Sequence, residues 1–519
     1  MSSEANLSRQ AADDVSTVAK GAATQVLGQI TARSVLFFFT LAAANLLNAS
    51  GFGRYRKVGQ VLGVAAQLGL AGFNFAALRF ISRARATGDH GGVRGAARVA
   101  LAGAAIASVV VSLVMLIGAD FLAVHFSQTP EAADDFARLV RIGIPYIPAL
   151  ALMQVLRYCT QAYKTMVPSV IVGDIVQPLV RAVVGVTVLA AGFGVAGAVT
   201  SLVFSMSVGA AVGVWYYLRI LTVDERAARP HAKPAAMLKF ALPQAGSSLL
   251  GIRSLGLGVL MLGILGTDRD VALFAVALAL QGPGELALSG MVDIWAPVVS
   301  DLHSRGDMGR LDSLYKTITR WIATFSLPVY AALMIKPDLF VKFFGSGYPE
   351  AATVVAILAV GNAVHSVTGP AVFVLSMTGR PGVNLIMSLS AVLLYLGLGV
   401  AIVPDHGIVG MAVVDSVVTV MVNSVRVIVA HSLVGIQPFG RSLLKPLAAT
   451  VIGAAVLLAW RGLVAESILL DSVGLAVASL AYLGALRVFG VDSEERYVWE
   501  RVKQRIARPR LTRGSFREP

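Results

Sequence analysis

Fourteen runs of about 20 or more mainly apolar residues follow one another along the chain, roughly 22–47, 55–78, 97–118, 137–162, 167–191, 195–219, 236–263, 271–298, 313–334, 350–376, 382–403, 408–430, 444–464 and 468–489. A helix needs about 20 such residues to cross about 30 Å of hydrocarbon. Lipid offers no partner to an unpaired backbone amide, so long apolar runs enter a membrane as helices. The predicted fold class is an all-α polytopic membrane protein of about 14 transmembrane helices. The 56% hydrophobic and 14% charged composition agrees, as does a mean hydropathy of +0.75. Only short polar connections separate the runs, which leaves no room for a soluble catalytic domain. Residues 1–21 lack an apolar core and a small-residue cleavage site, so the first run is expected to stay as an uncleaved signal-anchor. The single cysteine, Cys159, lies inside the fourth run and reads as an apolar filler.

A net charge of +14 could suit nucleic acid, but its placement points to topology. Arg79, Arg83, Arg85, Arg94 and Arg98 crowd the second connection, and Arg219, Arg226, Arg229, Lys233 and Lys239 flank the sixth. Arg305, Arg310, Lys316 and Arg320 follow the eighth run, whereas 119–136 and 403–407 carry no Lys or Arg. By the positive-inside rule both termini are expected in the cytoplasm of an inner-membrane protein. Arg54, Arg56 and Lys57 break the rule, lying on the expected outer side. They read either as a tolerated local excess or as a cationic rim at the outer mouth of a cavity.

The first twelve runs are written as two copies of a six-run unit about 219 residues apart. Arg33-Ser34 recurs as Arg253-Ser254, Gly88-Asp89 as Gly306-Asp307, Glu131-Ala132-Ala133 as Glu350-Ala351-Ala352, and Gly194–Gly197 as Gly407–Gly410. Long repeats in a membrane chain point to transporters, with the substrate where the repeats meet. An even number of crossings per copy makes the copies parallel. The expected organisation is an N-terminal segment (1–21), an N-lobe (22–222), a linker (223–235), a C-lobe (236–435), two appended helices (436–489) and a basic tail (490–519). In the tail, Val498, Val502 and Ile506 form an apolar stripe among Arg501, Lys503, Arg505 and Arg508. That pattern suits an interfacial helix on anionic lipid.

A charge near the bilayer centre costs at least about 2.5–3.5 kcal/mol, so ionisable residues there usually face a cavity or a partner. The first run carries Gln25, Gln29 and Arg33 at steps of four, and the second Gln60, Gln67 and Asn74 at steps of seven. The fifth carries Asp174, Gln177 and Arg181. The eighth carries Gln281, Glu285, Ser289 and Asp293 around Gly282-Pro283-Gly284, with Asp415 in the twelfth. Arg33, Arg181, Arg56, Gln25, Gln29, Gln60, Gln67 and Asn74 are candidate substrate contacts. Arg253 joins them as the repeat mate of Arg33, although it falls off the polar face of its own helix. Glu285, Asp293, Asp174 and Asp415 are candidates for binding a coupling ion. Gln and Asn stripes serve equally as interhelical hydrogen-bonding groups, and Arg157, Lys239 and Asp301 are expected to snorkel from span ends. No catalytic, metal or cofactor motif is present in the sequence.

The stretch Phe343-Phe344-Gly345-Ser346-Gly347-Tyr348, then Glu350-Ala351-Ala352 and an apolar run ending in Met377-Thr378-Gly379-Arg380-Pro381, resembles the second-lobe signature of the polysaccharide flippases. Lys20-Gly21-Ala22 with Gln29 and Arg33, followed by Gly51-Phe52-Gly53-Arg54-Tyr55, resembles their opening. These proteins belong to the multidrug/oligosaccharidyl-lipid/polysaccharide exporter superfamily. The resemblance spans about 17–435 and departs at Arg56, where the family tends to have glycine. It implies two six-helix lobes in a V around a cavity that opens alternately to each side. It also implies a polyprenyl-diphosphate-linked glycan as cargo, flipped to the outer leaflet. The other expected partners are membrane lipids, with a polysaccharide polymerase and glycosyltransferases as candidates, and no nucleic acid or cofactor. Rival readings are an ion-coupled small-molecule exporter, a lipid II flippase and a non-transporting scaffold.

Overall fold

The computed structural model describes residues 2–249, 255–464 and 467–490. Side chains are described over 24–246, 255–292, 298–464 and 467–490, together with Trp295. Among these residues every regular element is helical. In chain order the long ones are α1 (Ser2–Leu46), α2 (Ala49–Ala86), α3 (His90–Phe126), α4 (Pro130–Gln161), α5 (Val167–Ala190), α6 (Gly194–Ile220), α7 (Pro234–Leu249) and α8 (Leu257–Leu265). They continue as α9 (Asp268–Ser304), α10 (Met308–Ile335), α11 (Ala351–Met377), α12 (Pro381–Val434), α13 (Leu444–Leu463) and α14 (Ile468–Phe489). Twelve helices among the described residues are long and apolar enough to cross a membrane. The chain is an all-α, multi-pass membrane protein.

The described helices differ from the fourteen expected runs in three places. The runs 382–403 and 408–430 are continuous in α12, a 54-residue element interrupted only by the non-helical Gly407 (φ 54°, ψ −136°). The seventh run is seen as α7 and α8, on either side of residues outside the description. The second run also begins earlier than expected. Asn48 caps α2, its side chain accepting from the Gly51 amide at 2.6 Å, so Gly51–Lys57 are helical rather than a loop. Within α2 the backbone turns at Ala71 and Gly72, both at positive φ. A β-carbon on Gly72 would lie 2.1 Å from the Ala241 carbonyl oxygen of α7, so glycine serves both the bend and the contact.

The repeat is visible in backbone detail. Gly88 (φ 68°) and Gly306 (φ 72°) make equivalent turns, and the next residue caps a helix in each copy. Asp89 accepts from the Gly92 amide and Asp307 from the Arg310 amide. Gly194 and Gly407 both take a positive φ (57° and 54°) at the matched helix junctions. Arg253-Ser254, the mate of Arg33-Ser34, lies outside the described residues, as does the 491–519 tail.

The connections 87–89, 221–233 and 305–307 lie at one end of the bundle, the basic end. Those at 47–48, 127–129, 266–267 and 342–350 lie at the opposite end. A hydrophobic core containing Phe52, Phe126, Phe136, Phe274, Phe344 and Tyr348 joins both copies of the repeat toward the opposite end. Toward the basic end the cores are separate. One joins α2, α3, α4 and α7 through residues such as Phe73, Ile81, Val93 and Met237. The other joins α9 through α12 around Trp295, Val299, Tyr315 and Leu375. The helices therefore converge at one end and divide into two packed groups at the other. Exposed Ile117, Phe121, Val124 and Leu480 face outward, as suits a lipid-facing surface.

α13 and α14 pack on each other and on α10. Lys336, just after α10, pairs with Asp471 of α14 at 2.7 Å, with side chains 4% and 5% exposed, and the Tyr482 hydroxyl donates to the Thr324 carbonyl at 2.5 Å. Breaking a buried pair leaves an uncompensated charge, whereas an apolar replacement of both partners is often neutral. Asp471→Ala is expected to destabilise the fold by about 3–5 kcal/mol. Thermal unfolding in detergent should show a lowered midpoint that Lys336→Met with Asp471→Leu largely restores.

Candidate functional site

A cavity of about 450 Å³ lies between α1 and α9, with Arg56 of α2 completing its wall. On α1 its face runs from Arg33 through Phe37 to Thr40, two turns at helical spacing. On α9 the lining residues Ala275, Leu278, Ala279, Gly282, Glu285 and Leu286 recur at three- and four-residue steps. Gly282 and Pro283 present little bulk here, and α9 stays helical through them. Three residues singled out in the sequence thus meet in one chamber: Arg33, Arg56 and Glu285. The rest of the wall is mostly apolar and aromatic, so the two guanidinium groups and the carboxylate dominate its chemistry.

The other candidates lie elsewhere. Arg181 of α5 donates from Nη2 to the Tyr55 hydroxyl at 2.6 Å and sits 5.3 Å from the Phe39 ring, behind the α1–α2 wall. Asp174 belongs to a polar cluster inside the first repeat. It meets Arg157 at 3.2 Å and accepts from Gln25 Nε2 at 3.4 Å, while Arg157 also donates to the Ser169 carbonyl and hydroxyl. Arg157 therefore pairs within the bundle rather than snorkelling. Residues 171–176 around Asp174 form a π-helical turn. Pro178 follows, and its missing N–H withdraws the bond an α-helix would make to the Asp174 carbonyl.

The spacing of Gln60, Gln67 and Asn74 predicts one face, but the bend at Ala71-Gly72 separates Asn74 from the other two. Asn74 is buried, Gln67 is exposed, and Gln60 Nε2 donates to the Leu255 carbonyl at 3.0 Å, bridging the two copies. Gln29 is half-buried on α1 and does not line the cavity. Asp415 accepts from the Tyr395 hydroxyl at 3.0 Å inside the second repeat. The side chain of Asp293 and all of Arg253 lie outside the described residues.

The acidic partners of a second group of charges escaped the sequence reading. At the opposite end Arg54 meets Asp135 at 2.5 Å and Asp268 at 3.4 Å, and Lys57 meets Asp268 at 2.5 Å. The apparent excess of positive charge on this side is thus neutralised by acids about 80 and 210 residues away in sequence. Nearby, the Tyr348 hydroxyl donates to the Ala44 carbonyl at 2.8 Å. Burial pushes its pKa up to about 12, keeping it a proton donor at any physiological pH. Glu350, beside it, is held below the usual carboxylate range by a backbone amide hydrogen bond and by Arg269.

The polysaccharide biosynthesis protein model matches residues 18–303, more than half of the chain. The chain belongs to that family. Its fold is shared with solved structures of the exporter superfamily. A lipid II flippase in an inward closed conformation superposes with a TM-score of 0.71 at 11% identity, over 89% of this chain and 98% of the flippase. An inward-facing multidrug resistance transporter gives a TM-score of 0.67 at 16% identity, over 79% and 98%. A superfamily transporter from Pyrococcus furiosus, described as having a binding pocket of reverse polarity, gives 0.57 at 18%, over 80% and 96%. No curated protein matches the chain significantly in sequence. The fold is thus one shared with membrane transporters, and the cavity lies between the two copies of the repeat.

The geometry predicts which positions water-soluble reagents reach. In detergent, the native chain should resist maleimide because Cys159 is fully buried. Thr40→Cys, on the cavity wall, should react within minutes, and Asn74→Cys, at a position 5% exposed, should not. Intact-protein mass spectrometry reads the difference.

Proposed function

We propose that this family member flips a polyprenyl-diphosphate-linked oligosaccharide across the cytoplasmic membrane, with the diphosphate held in the α1–α9 cavity. The observation that supports this most is the joint placement of Arg33 and Arg56 on one wall system of a cavity between the repeat copies. A diphosphate is a compact dianion or more, and guanidinium groups bind phosphate oxygens through charge-assisted, often bidentate hydrogen bonds. Arg33 is exposed in the cavity and makes no ion pair among the described residues, which leaves its donors available. The aromatic and apolar wall suits sugar-ring faces and the first part of a lipid, while the isoprenoid tail stays in the bilayer.

Glu285 faces the same space, and in this reading it binds the coupling proton. A carboxylate beside an anionic cargo is repelled by it, so proton uptake and cargo loading favour each other. With the basic end in the cytoplasm, the molecule is closed toward the outside, the state that receives cargo from the inner leaflet. The two cationic groups also speak against an exporter of cationic compounds, which would need an acidic or aromatic cavity.

Purified chain in vesicles loaded with a polyprenyl-diphosphate oligosaccharide tests the reading, using a membrane-impermeant glycosidase to score flipping. Hydrogen bonds to charged groups contribute about 1.5–3 kcal/mol. Arg33→Gln and Arg56→Gln should each therefore cut flipping roughly ten- to hundredfold. Glu285→Gln should flatten the dependence of the rate on an imposed proton gradient. Unchanged flipping in both arginine variants, or transport of a cationic dye in place of the lipid, overturns the assignment.

A further inference from the structure

Arg54, Lys57 and Asp268 sit where the two repeat copies meet at the opposite end of the bundle. Arg54 and Lys57 are on α2, in the first copy, and Asp268 opens α9, in the second. The backbones touch as well: a β-carbon on Gly53 would lie 1.6 Å from the Asp268 carbonyl oxygen, so any side chain larger than hydrogen there would force the copies apart. Gln128 Nε2 adds a bond to the Gly266 carbonyl at 2.9 Å. Arg56 lies on the same helix, between Arg54 and Lys57, and lines the cavity.

We propose that Arg54 and Lys57 with Asp268 form an ion-pair latch that closes this end of the cavity and opens during the transport cycle. Three features separate it from a permanent structural staple. First, the cations keep partners when the copies part. Arg54 retains Asp135 at 2.5 Å, and Lys57 Nζ retains the Phe126 carbonyl at 2.5 Å, both in the first copy. Opening therefore leaves Arg54 with a counter-charge and Lys57, whose side chain is 4% exposed, with a hydrogen-bond acceptor, which lessens the cost of breaking a buried pair. Asp268, the group that loses its partners, stands at a helix start beside the connection at 266–267, where water can take over.

Second, the pair is partly wet. The side chains of Arg54, Asp135 and Asp268 are 29%, 32% and 16% exposed, while that of Lys57 is buried at 4%. Lys336–Asp471 contrasts with it, being sealed at 4% and 5% and lying away from the junction of the copies. Solvated ion pairs contribute little net free energy and exchange readily. Third, one core joins the copies at this end, whereas at the basic end two separate cores form, with α7 the second-copy helix packed on the first copy. Parting the copies here is thus the change needed to expose the cavity to the other side. The inference rests on the transport reading for its purpose, but cavity access reports on the latch whatever the cargo is.

The test uses the full chain in intact cells, carrying Thr40→Cys on a Cys159→Ser background and treated with a membrane-impermeant maleimide. Asp268→Asn should raise the labelling rate several-fold, and Asp268→Glu, which keeps the charge, should stay slow. Glu350→Gln removes an ion pair at the same end but within the second copy, and should leave the rate unchanged. A second measurement needs no latch variant. Gln128→Cys and Gly266→Cys, joined by a short cleavable thiol cross-linker, should block both labelling of the cavity and transport until the linker is cut. Native labelling rates in Asp268→Asn, or undiminished cavity labelling in the fully cross-linked chain, overturns the latch. Loss of flipping with normal labelling behaviour would instead count against the cargo assignment alone.

Discussion

A charge carried into hydrocarbon must find a partner or water, and most deep ionisable groups in this protein are accounted for by that constraint. Arg157 finds Asp174, Lys336 finds Asp471, and Arg54 and Lys57 share Asp268 and Asp135. Arg181 finds the Tyr55 hydroxyl and the Phe39 ring. Arg33, Arg56 and Glu285 face a common cavity. Pairing inside one repeat copy rigidifies that copy. Pairing between copies ties them together, and facing a cavity leaves a group able to meet something from outside. The same physical demand thus sorts the charged residues into those paired within a copy, those paired between copies and those that face the cavity.

The distribution of apolar packing follows the same division. A single core spans the copies where the helices converge, and two unconnected cores occupy the basic end. Close packing makes such cores bistable rather than continuously deformable, so the two groups of helices behave as bodies that meet along a limited seam. Gly53 and Gly72 mark where that seam and the α2–α7 contact bring backbones within van der Waals reach. The bends at Gly72 and Gly407 place helix segments at angles that a continuous α-helix could not reach.

Much of this architecture was legible along the chain because it rests on local periodicity. Apolar length locates the helices, lysine and arginine density locates the basic end, and the recurrence of Gly-Asp and Gly-x-x-Gly locates the repeat. The structure shows the paired glycines with matching positive φ angles. The cavity was only half legible. Arg33 and Glu285 were singled out by their depth in apolar runs and Arg56 by its place in the cationic cluster after the first run, yet depth also selected Asp174, Gln60 and Asp415, which are occupied by Arg157, the Leu255 carbonyl and Tyr395. Depth in a span says that a polar group needs a partner. It does not say whether the partner is the protein itself or a ligand.

The sequence by itself determined that this chain is a helical membrane protein, that its first twelve runs form two copies of one unit, and which family it belongs to. Each of these follows from patterns shorter than a helix or repeated at a fixed interval. Only the tertiary structure decided that the cationic cluster after the first helix is neutralised by Asp135 and Asp268, and that Arg56 turns toward the cavity while its neighbours Arg54 and Lys57 do not. Helix rotation and the packing of segments some 200 residues apart set those outcomes. A bend of two residues at Ala71-Gly72 is enough to carry Asn74 off the face that its spacing implies.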